Sequence, residues 1–363
     1  MNSKTNKTTI CKEAHPCLKS YTAGIDLHSN NLTLAVVDES GKRINCRKLN
    51  CDLSLVLQAL DAFKNELRSV AVESTFNWYW LVDGLIQHGY PVVLANPAAI
   101  EQYNGIKHAD DKNDAFFLAE MLRLGILPTG YIYDAQLRPV RDLLRRRMNL
   151  VHQRTALTLS LKSLHHRTVG QTLALNKIKA TGNADVAELF EHPANRLIAT
   201  LQKQHIEALS QSIEIIEKEA LKSAKSRSYY DRLKTLPGVG VILGMTIALE
   251  VGDVSRFKTP GDFASYCRTV DSRRLSNNKQ KGSNNQKCGN KYLAWAFVEG
   301  ANFAKQHHEN CRRWFDRKAA KCGKIVATKA LACKLAKAAW HVMSTGEDYD
   351  EKRMLPHLSG TKI

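Results

Sequence analysis

Four carboxylates in this chain have the residue types and positions that metal-dependent chemistry requires. Asp26 ends the apolar stretch 22–26, and Glu73 ends the apolar stretch 69–73. Asp111 and Asp114 lie three residues apart at the start of a helix-like run. A carboxylate at the end of a buried strand is costly unless a cation lies beside it. The four acids together therefore predict a divalent-metal site.

The spacing of these acids allows them to converge. Residues three apart share one face of a helix, so Asp111 and Asp114 can point together toward the two strand ends. Such a group can hold one or two Mg²⁺ ions and leave coordination positions open for phosphate oxygens. Asp110 could replace Asp111, because a spacing of four residues to Asp114 is equally compatible with one helix face. Taken singly, each acid could also be a turn cap or a helix N-terminal acid.

Composition indicates a polyanionic partner. The chain has 363 residues, 44% of them hydrophobic, which suggests two or three domains with real cores. Its formal net charge is +18, and nucleic acid is the usual partner of so basic a protein, ahead of an acidic membrane surface. No apolar run reaches the roughly 18–20 residues that span a bilayer, so no membrane association is expected.

The ends of the chain and its cysteines carry less information. Residues 1–20 are polar and lysine-rich, which predicts a flexible extension rather than a secretory signal. The nine cysteines include no Cys-x-x-Cys pair. This pattern favours reduced thiols in a cytoplasm and excludes both a disulfide framework and a structural zinc site.

Residues 21–134 have the pattern of an α/β domain that would position the acids. Predicted strands cover Ala23–Leu27, Leu32–Val37, Arg43–Leu49, Val70–Glu73 and Pro91–Ala95. Predicted helices cover Leu53–Leu67, Trp78–His88 and Asp111–Leu124, and Asn96-Pro97 is predicted to start a further one. Three antiparallel strands followed by alternating helices and strands predict a mixed sheet with helices on its faces.

Two helical regions follow. Residues 135–235 are nearly free of glycine, and Leu209, Ile213, Ile216 and Ala220 form an amphipathic seam. We interpret this region as a coiled-coil-like helical hairpin that spaces two domains or joins two subunits, with an ordinary helical bundle as the alternative. Residues 236–345 form a third, mainly α region, and residues 346–363 have the pattern of a tail.

The third region opens with Leu-Pro-Gly-Val-Gly at 236–240, which is typical of a helix-hairpin-helix element. Gly238 and Gly240 would permit a tight turn, and backbone N–H groups at the next helix start could bind a phosphate. Such a contact positions a duplex without reading its sequence. A plain turn between two helices is the alternative.

A polar, basic segment at 268–290 contains candidate nucleophiles. Ser272 and Ser276 are both present, and a serine hydroxyl needs a base, a metal or neighbouring cations before it can attack phosphorus. The cations that could stabilise phosphate charge are Arg273, Arg274, Lys279 and Lys281, followed by Lys287 and Lys291 at a predicted helix start at Gly289-Asn290. A solvated basic loop without chemistry is the alternative.

Three segments resemble the motifs of a known family. Gly-Ile-Asp-Leu-His at 24–28, Val-Glu-Ser-Thr at 72–75 and Asp-Lys-Asn-Asp-Ala at 111–115 are similar to the motifs of the DEDD transposases. These are bacterial insertion-sequence recombinases with a RuvC-like (RNase H-like) N-terminal domain, and the Piv invertases share the pattern. The resemblance spans almost the whole chain. Its last motif selects Asp111 and Asp114 over Asp110.

The resemblance implies a reaction. In the family a serine of the basic loop forms a phosphoserine link to DNA, and Ser276 matches that position best, with Ser272 as a rival. Many relatives have glycine after this serine where this chain has Asn277, which also tolerates left-handed backbone geometry. The function expected is a site-specific recombinase that moves its own insertion element, with Asp26, Glu73, Asp111 and Asp114 binding Mg²⁺.

The resemblance also implies partners. These are double-stranded donor and target DNA, a structured noncoding guide RNA, and further copies of the chain in a dimer or tetramer whose sites combine residues of different subunits. The expected location is the bacterial cytoplasm, at the nucleoid. Two other functions remain open: a RuvC-type hydrolytic nuclease such as a junction resolvase, in which water replaces the serine, and a nucleic-acid-binding protein with a decayed site.

Overall fold

The structure is a computed structural model that describes residues 21–100, 110–271, 274–277, 279–282 and 288–355. The chain divides into two compact units, Met1–Ile132 and Tyr133–Ile363. The predicted extension at 1–20 lies outside the described residues, and the finer division into a hairpin, a third region and a tail stays a prediction. Within the described part, no helix is long and apolar enough to cross a membrane.

The first unit is built on a five-stranded sheet. Its strands are β1 (Tyr21–Leu27), β2 (Asn31–Val37), β3 (Arg43–Asn50), β4 (Leu67–Glu73) and β5 (Val92–Ala95). Their order is β3-β2-β1-β4-β5, in which the first three pair antiparallel while β1, β4 and β5 run parallel. The predicted mixed sheet is confirmed, and the parallel pairing sets the ends of β1 and β4 side by side.

Helices cover both faces of this sheet because alternate residues of each strand point to opposite sides. One face packs against α1 (Leu53–Asp61) and α2 (Tyr79–Gln87) through a core that contains Ile25 and Val72. The other face receives α3 (Asp111–Arg123), whose Ala115 and Ala119 are fully buried. Asp26 and Glu73 belong to the face that α3 covers, since they alternate with Ile25 and Val72.

Two predicted helices of the first unit were wrong in extent. The helix expected over Leu53–Leu67 ends at Asp61, a short 3₁₀ turn covers Lys64–Glu66, and Leu67 already begins β4. The helix expected from Asn96-Pro97 is a single 3₁₀ turn over Pro97–Ala99. In the first case the apolar residues of the strand continued the pattern of the helix, so periodicity alone did not mark the boundary.

The second unit begins with two long helices that form a hairpin, in the region where the sequence predicted one. Its arms are α4 (Arg138–Val169) and α7 (Pro193–Lys225), with the short helices α5 (Leu175–Ala180) and α6 (Asp185–Glu188) between them. The arms pack along each other, and Ile213 and Ala220 of the predicted seam are buried.

The rest of the second unit is mainly helical, as predicted. Its helices are α8 (Tyr230–Leu233), α9 (Val241–Val251), α10 (Pro260–Tyr266), α11 (Lys291–His307), α12 (Glu309–Cys322), α13 (Lys324–Thr345) and α14 (Glu351–Met354). A two-stranded antiparallel ribbon, β6 (Arg274–Ser276) with β7 (Lys279–Gly282), lies within the basic segment. In the segment predicted as a tail, Met354 and Leu355 are buried in the helical core.

Candidate metal and nucleic-acid site

Asp26 and Glu73 lie next to each other at the ends of parallel strands. Ile25 pairs with Val72 across β1 and β4, so the next residue on each strand is a carboxylate. Asp26 is only 3% exposed. Burial, a hydrogen bond with Asp26, and the charges of Asp26 and Asp114 together raise the pKa of Glu73 to about 8. A carboxyl that keeps its proton near neutral pH marks a site with too much negative charge.

Gly24 allows α3 to approach the strand ends. A Cβ atom at Gly24 would lie 2.2 Å from the backbone oxygen of Ala115 and 2.6 Å from the backbone nitrogen of Ala119. The helix backbone therefore rests directly on β1, two residues before Asp26 and on the same face of the sheet. This contact is the reason why the first turn of α3 lies over the carboxylates.

The start of α3 gives its three aspartates different roles. Asp110 is the N-cap residue, and its Oδ1 accepts a hydrogen bond of 2.6 Å from the backbone N–H of Asn113. Asp111 and Asp114 lie in the first turn. Burial and the charges of Asp26, Asp110 and Asp111 raise the pKa of the Asp114 carboxyl, against the opposing effect of His28.

Sequence reasoning missed two basic residues at this site. His28 Nε2 lies 3.1 Å from Asp26 Oδ2 and 3.2 Å from Asp111 Oδ1, and Lys48 Nζ lies 2.9 Å from Asp111 Oδ2. The hydrogen bond from Lys48, followed by that from His28, lowers the pKa of Asp111 despite a small opposing effect of burial. His28 could have been found from the sequence, because it lies two residues after Asp26 and alternate residues of a strand point to the same face. Lys48 becomes visible only from strand register, because it pairs with Thr33, which pairs with Asp26.

The donor set suits a divalent cation. One ligand atom each from Asp26, His28 and Asp111 lie within 4.8 Å of one another. Burial first, and then the charges of neighbouring carboxylates, raise the pKa values of Glu73 and Asp114, and a divalent cation would offset both effects by stabilising the ionised carboxylates. Oxygen donors and one imidazole are ligands that Mg²⁺, Mn²⁺ and similar ions accept.

The candidate nucleophile belongs to the second unit. Ser276 ends β6 and pairs with Lys279 of β7, and Asn277 forms the turn with a φ of 51°. Asn277 thus has the left-handed geometry that asparagine tolerates better than most residues. Arg274 pairs with Gly282 at the base of the ribbon.

The basic side chains around this ribbon are described in part. Lys279 and Lys281 of β7 are exposed, as is Lys291 at the start of α11. Ser272, Arg273 and Lys287 lie outside the described residues. A phosphate-binding role for these side chains stays a prediction.

The glycines of the 236–240 turn have unequal environments. Gly238 has a φ of 77°, and its backbone N–H donates a hydrogen bond of 3.3 Å to His308 Nε2. A Cβ there would lie 2.1 Å from the backbone oxygen of Gly300. Gly240, by contrast, is exposed with open space around its Cα. Gly238 thus packs against Gly300 of α11, and its N–H is bonded to His308 just after that helix. Gly240 is the part of the turn that a phosphate could reach.

A buried carboxylate joins three helices of the second unit. Glu250, 1% exposed, accepts hydrogen bonds from Arg145 Nε at 2.6 Å and from Arg145 Nη2 at 2.8 Å. Its Oε2 also accepts one from Asn290 Nδ2 at 2.7 Å. The Asn290 Oδ1 caps α11 by accepting from the backbone N–H groups of Tyr292 and Leu293. The predicted helix start at Gly289-Asn290 is confirmed, and its buried partner was not foreseen.

Two family models match the chain. Residues 23–168 match a model of the IS110 DEDD type described as a transposase. Residues 230–316 match a model described as the transposase IS116/IS110/IS902 family. The first match contains all four candidate metal carboxylates, and the second contains the 236–240 turn and the serine ribbon.

Curated relatives agree with these matches. The transposase for insertion sequence element IS1111A of Coxiella burnetii is 24% identical over 95% of both chains. The transposase for insertion sequence element IS1328 of Yersinia enterocolitica is 27% identical over 76% of this chain and 84% of its own. A probable family 20 transposase of Pseudomonas aeruginosa is 25% identical over 76% of this chain and 83% of its own.

Proposed function

Because this chain belongs to the IS110/IS116 family of insertion-element transposases, we propose that it cuts and rejoins DNA through a serine–phosphodiester intermediate assisted by its carboxylates. The observation that carries the proposal is the meeting of Asp26, Glu73, Asp111 and Asp114 at one edge of the sheet. The proposal includes a RuvC-like fold for this domain, which the mixed sheet with its acidic edge supports.

The carboxylates would hold one or two divalent ions, Mg²⁺ in the first instance. Such ions, when bound, stabilise negative charge on the attacking and leaving oxygens of a phosphodiester. The position of Asp26 is set by the pairing of β1 with β2. The position of Asp111 is set by α3, which can approach the sheet because Gly24 has no side chain. Glu73, which holds a proton near neutral pH in the absence of a cation, would lose it when the site is loaded.

Ser276 is the proposed nucleophile, and the attack conserves the phosphodiester bond energy. A bond forms between Ser276 Oγ and phosphorus while the bond from phosphorus to one DNA oxygen breaks. A base takes the serine proton, and the departing DNA oxygen takes up a proton to become a hydroxyl. A DNA hydroxyl later attacks the phosphoserine, which breaks the bond from Ser276 Oγ to phosphorus, regenerates the serine hydroxyl and rejoins a strand without ATP. Lys279 and Lys281 would bind the flanking phosphates.

The resemblance to this family implies several partners for the proposed function. They are double-stranded donor and target DNA, a noncoding guide RNA that pairs with both, and further copies of the chain in a dimer or tetramer. Joining four DNA ends requires at least two active sites, and the family resemblance implies that carboxylates of one subunit act with the serine of another. The net charge of +18 supports the nucleic-acid partners.

A hydrolytic nuclease is the second candidate. It is favoured by one observation, namely that all four carboxylates and their basic neighbours lie within the first unit, with no need of the serine ribbon. Water would then attack phosphorus, and Lys279 and Lys281 would only clamp DNA.

Replacement of Ser276 by Ala separates the two candidates. End-labelled element DNA is incubated with full-length protein, noncoding RNA transcribed from the element and Mg²⁺, and products are resolved on a denaturing gel. The recombinase predicts a covalent protein–DNA band that disappears in Ser276→Ala and persists in Ser272→Ala. Cleavage that continues in both variants without a covalent band would support the hydrolytic nuclease instead.

A further inference from the structure

The imidazole of His28 lies between two carboxylates of the proposed metal centre. Its Nε2 is 3.1 Å from Asp26 Oδ2 and 3.2 Å from Asp111 Oδ1. One ion could contact all three donor atoms, since they lie within 4.8 Å of one another. The ring contributes a nitrogen to a site whose other ligands are oxygens.

The backbone of His28 is held by its surroundings. Its N–H donates a hydrogen bond of 2.9 Å to the Asn31 oxygen across the β1–β2 turn. Its carbonyl accepts one of 3.0 Å from Asn77 Nδ2. His28 also continues the alternation of Gly24 and Asp26 toward the face under α3. A ligand already placed by its backbone loses little conformational freedom when a metal binds.

We propose that His28 is a nitrogen ligand of the divalent-metal centre, alongside Asp26 and Asp111. This inference deepens the proposed function, because it rests on the same centre and adds its metal preference. Imidazole favours first-row transition ions over Mg²⁺, whereas carboxylates accept both. The centre therefore binds Mn²⁺ and Co²⁺ more tightly than Mg²⁺, and His28 is the source of the difference.

The competing explanation is an ion pair. A protonated His28 would bridge Asp26 and Asp111 in the cation-free protein and move aside when an ion binds. An imidazolium has no free lone pair for a metal, so the two explanations differ in one observable, the presence of nitrogen in the coordination shell.

Pulsed electron paramagnetic resonance of bound Mn²⁺ measures that observable. Full-length protein is stripped with a chelator and loaded with one equivalent of Mn²⁺, and the electron spin echo is examined for modulation by directly bound ¹⁴N. We expect this coupling in the natural protein and its loss in His28→Gln. His88→Gln is the matched control, because His88 follows α2 on the opposite face of the sheet, with its Nδ1 2.8 Å from the Gly84 oxygen.

Titration with Mn²⁺ and Mg²⁺ separately completes the test. The Mn²⁺ affinity of His28→Gln should fall at least about 10-fold, the lower end of the loss seen when even an outer-shell partner is removed. Its Mg²⁺ affinity should fall less, so that the preference for Mn²⁺ narrows.

The possible failures are distinguishable. Mn²⁺ bound to the natural protein without nitrogen coupling would overturn the role of His28 while leaving the carboxylate centre intact, and this result does not depend on how the variant folds. Coupling that survives in His28→Gln would overturn it equally. If the natural protein binds no Mn²⁺ at all, the proposed metal centre fails together with the inference.

Discussion

Each of the two units buries carboxylates, and the two groups have opposite electrostatic surroundings. In the second unit, Glu250 meets the guanidinium of Arg145 and the amide of Asn290, so its charge is compensated inside the fold. In the first unit, Glu73 meets Asp26 and Asp114, and its pKa is raised by burial and then by these acids. A buried acid with its own cation belongs to the structure of the protein. A buried acid among other acids indicates a cation from outside.

The largest effect is expected from Asp26→Asn. Loss of a central metal ligand should reduce DNA cleavage at least about 100-fold, the upper end of the range for outer-shell partners. Above about pH 8, where Glu73 is ionised as well, the thermal midpoint of the metal-free variant should nevertheless rise, because repulsion between Asp26 and Glu73 is removed. Cleavage assays measure the loss of activity, and thermal melts measure the change in the midpoint. Asp61→Asn, at the exposed end of α1, is the control and should change neither.

Glu250→Ala, in the second unit, should lower the stability of the protein, whereas Asp26→Asn should raise it in the metal-free protein at alkaline pH. It leaves the half-buried Arg145 guanidinium and the Asn290 amide without their buried acceptor, and the loss of unfolding free energy should approach about 3–5 kcal/mol, the range typical of a broken buried ion pair. Urea unfolding followed by circular dichroism measures the loss. Glu219→Ala removes an exposed partner of Lys222 and should cost less than about 1 kcal/mol. Equal losses in the two variants would contradict the contrast between the units.

Gly24→Ala tests the packing that brings the acids together. The added Cβ would collide with the backbone of α3, and overpacking of this kind costs about 1–3 kcal/mol. Mn²⁺ affinity should fall as well, because the displaced helix carries Asp111. Gly261→Ala, in the first turn of α10 with ordinary contact distances, should be neutral or slightly stabilising. A Gly24→Ala protein with unchanged Mn²⁺ affinity would show that the close approach is not needed for the site.

The smallest effect concerns pH in the presence of a chelator. Glu73 has a pKa of about 8 in the folded protein against a usual value of 4.5. Between these values the folded state retains a proton that the unfolded state has lost, so the contribution of Glu73 to stability falls as pH rises. Below about pH 4.5 both states are protonated and the dependence ends. Unfolding free energies measured from pH 5 to 8 should therefore decline less steeply in Glu73→Gln, and identical slopes would contradict the prediction.

The sequence was sufficient for the strands and for the acids at their ends. Short apolar runs bounded by polar turns place β1, β2 and β4 to within a few residues, and the acids follow from their position at the strand ends. The sequence could not supply the neighbours of these acids. Lys48 reaches Asp111 only through the register of two successive strand pairings.

Long-range contacts explain the other omissions. Arg145 and Glu250 are far apart in sequence, and an arginine in a basic helix gives no sign that it will pair with a buried carboxylate. In the same way, the glycines at 236–240 indicated a turn but not which of them would pack against α11. The helix-hairpin-helix interpretation therefore stays a prediction. The N–H of Gly238 is bonded to His308, and Gly240 is exposed.

The Arg145–Glu250–Asn290 cluster has a mechanical consequence. Helix α4 has 32 residues and spans about 48 Å at 1.5 Å per residue, and Arg145 lies near its first turns. Through Glu250 the helix is joined to Asn290, where the chain leaves the serine segment and enters α11. A displacement of the hairpin would thus be transmitted through Arg145 and Glu250 to Asn290, the residue at which the segment that contains Ser276 joins α11.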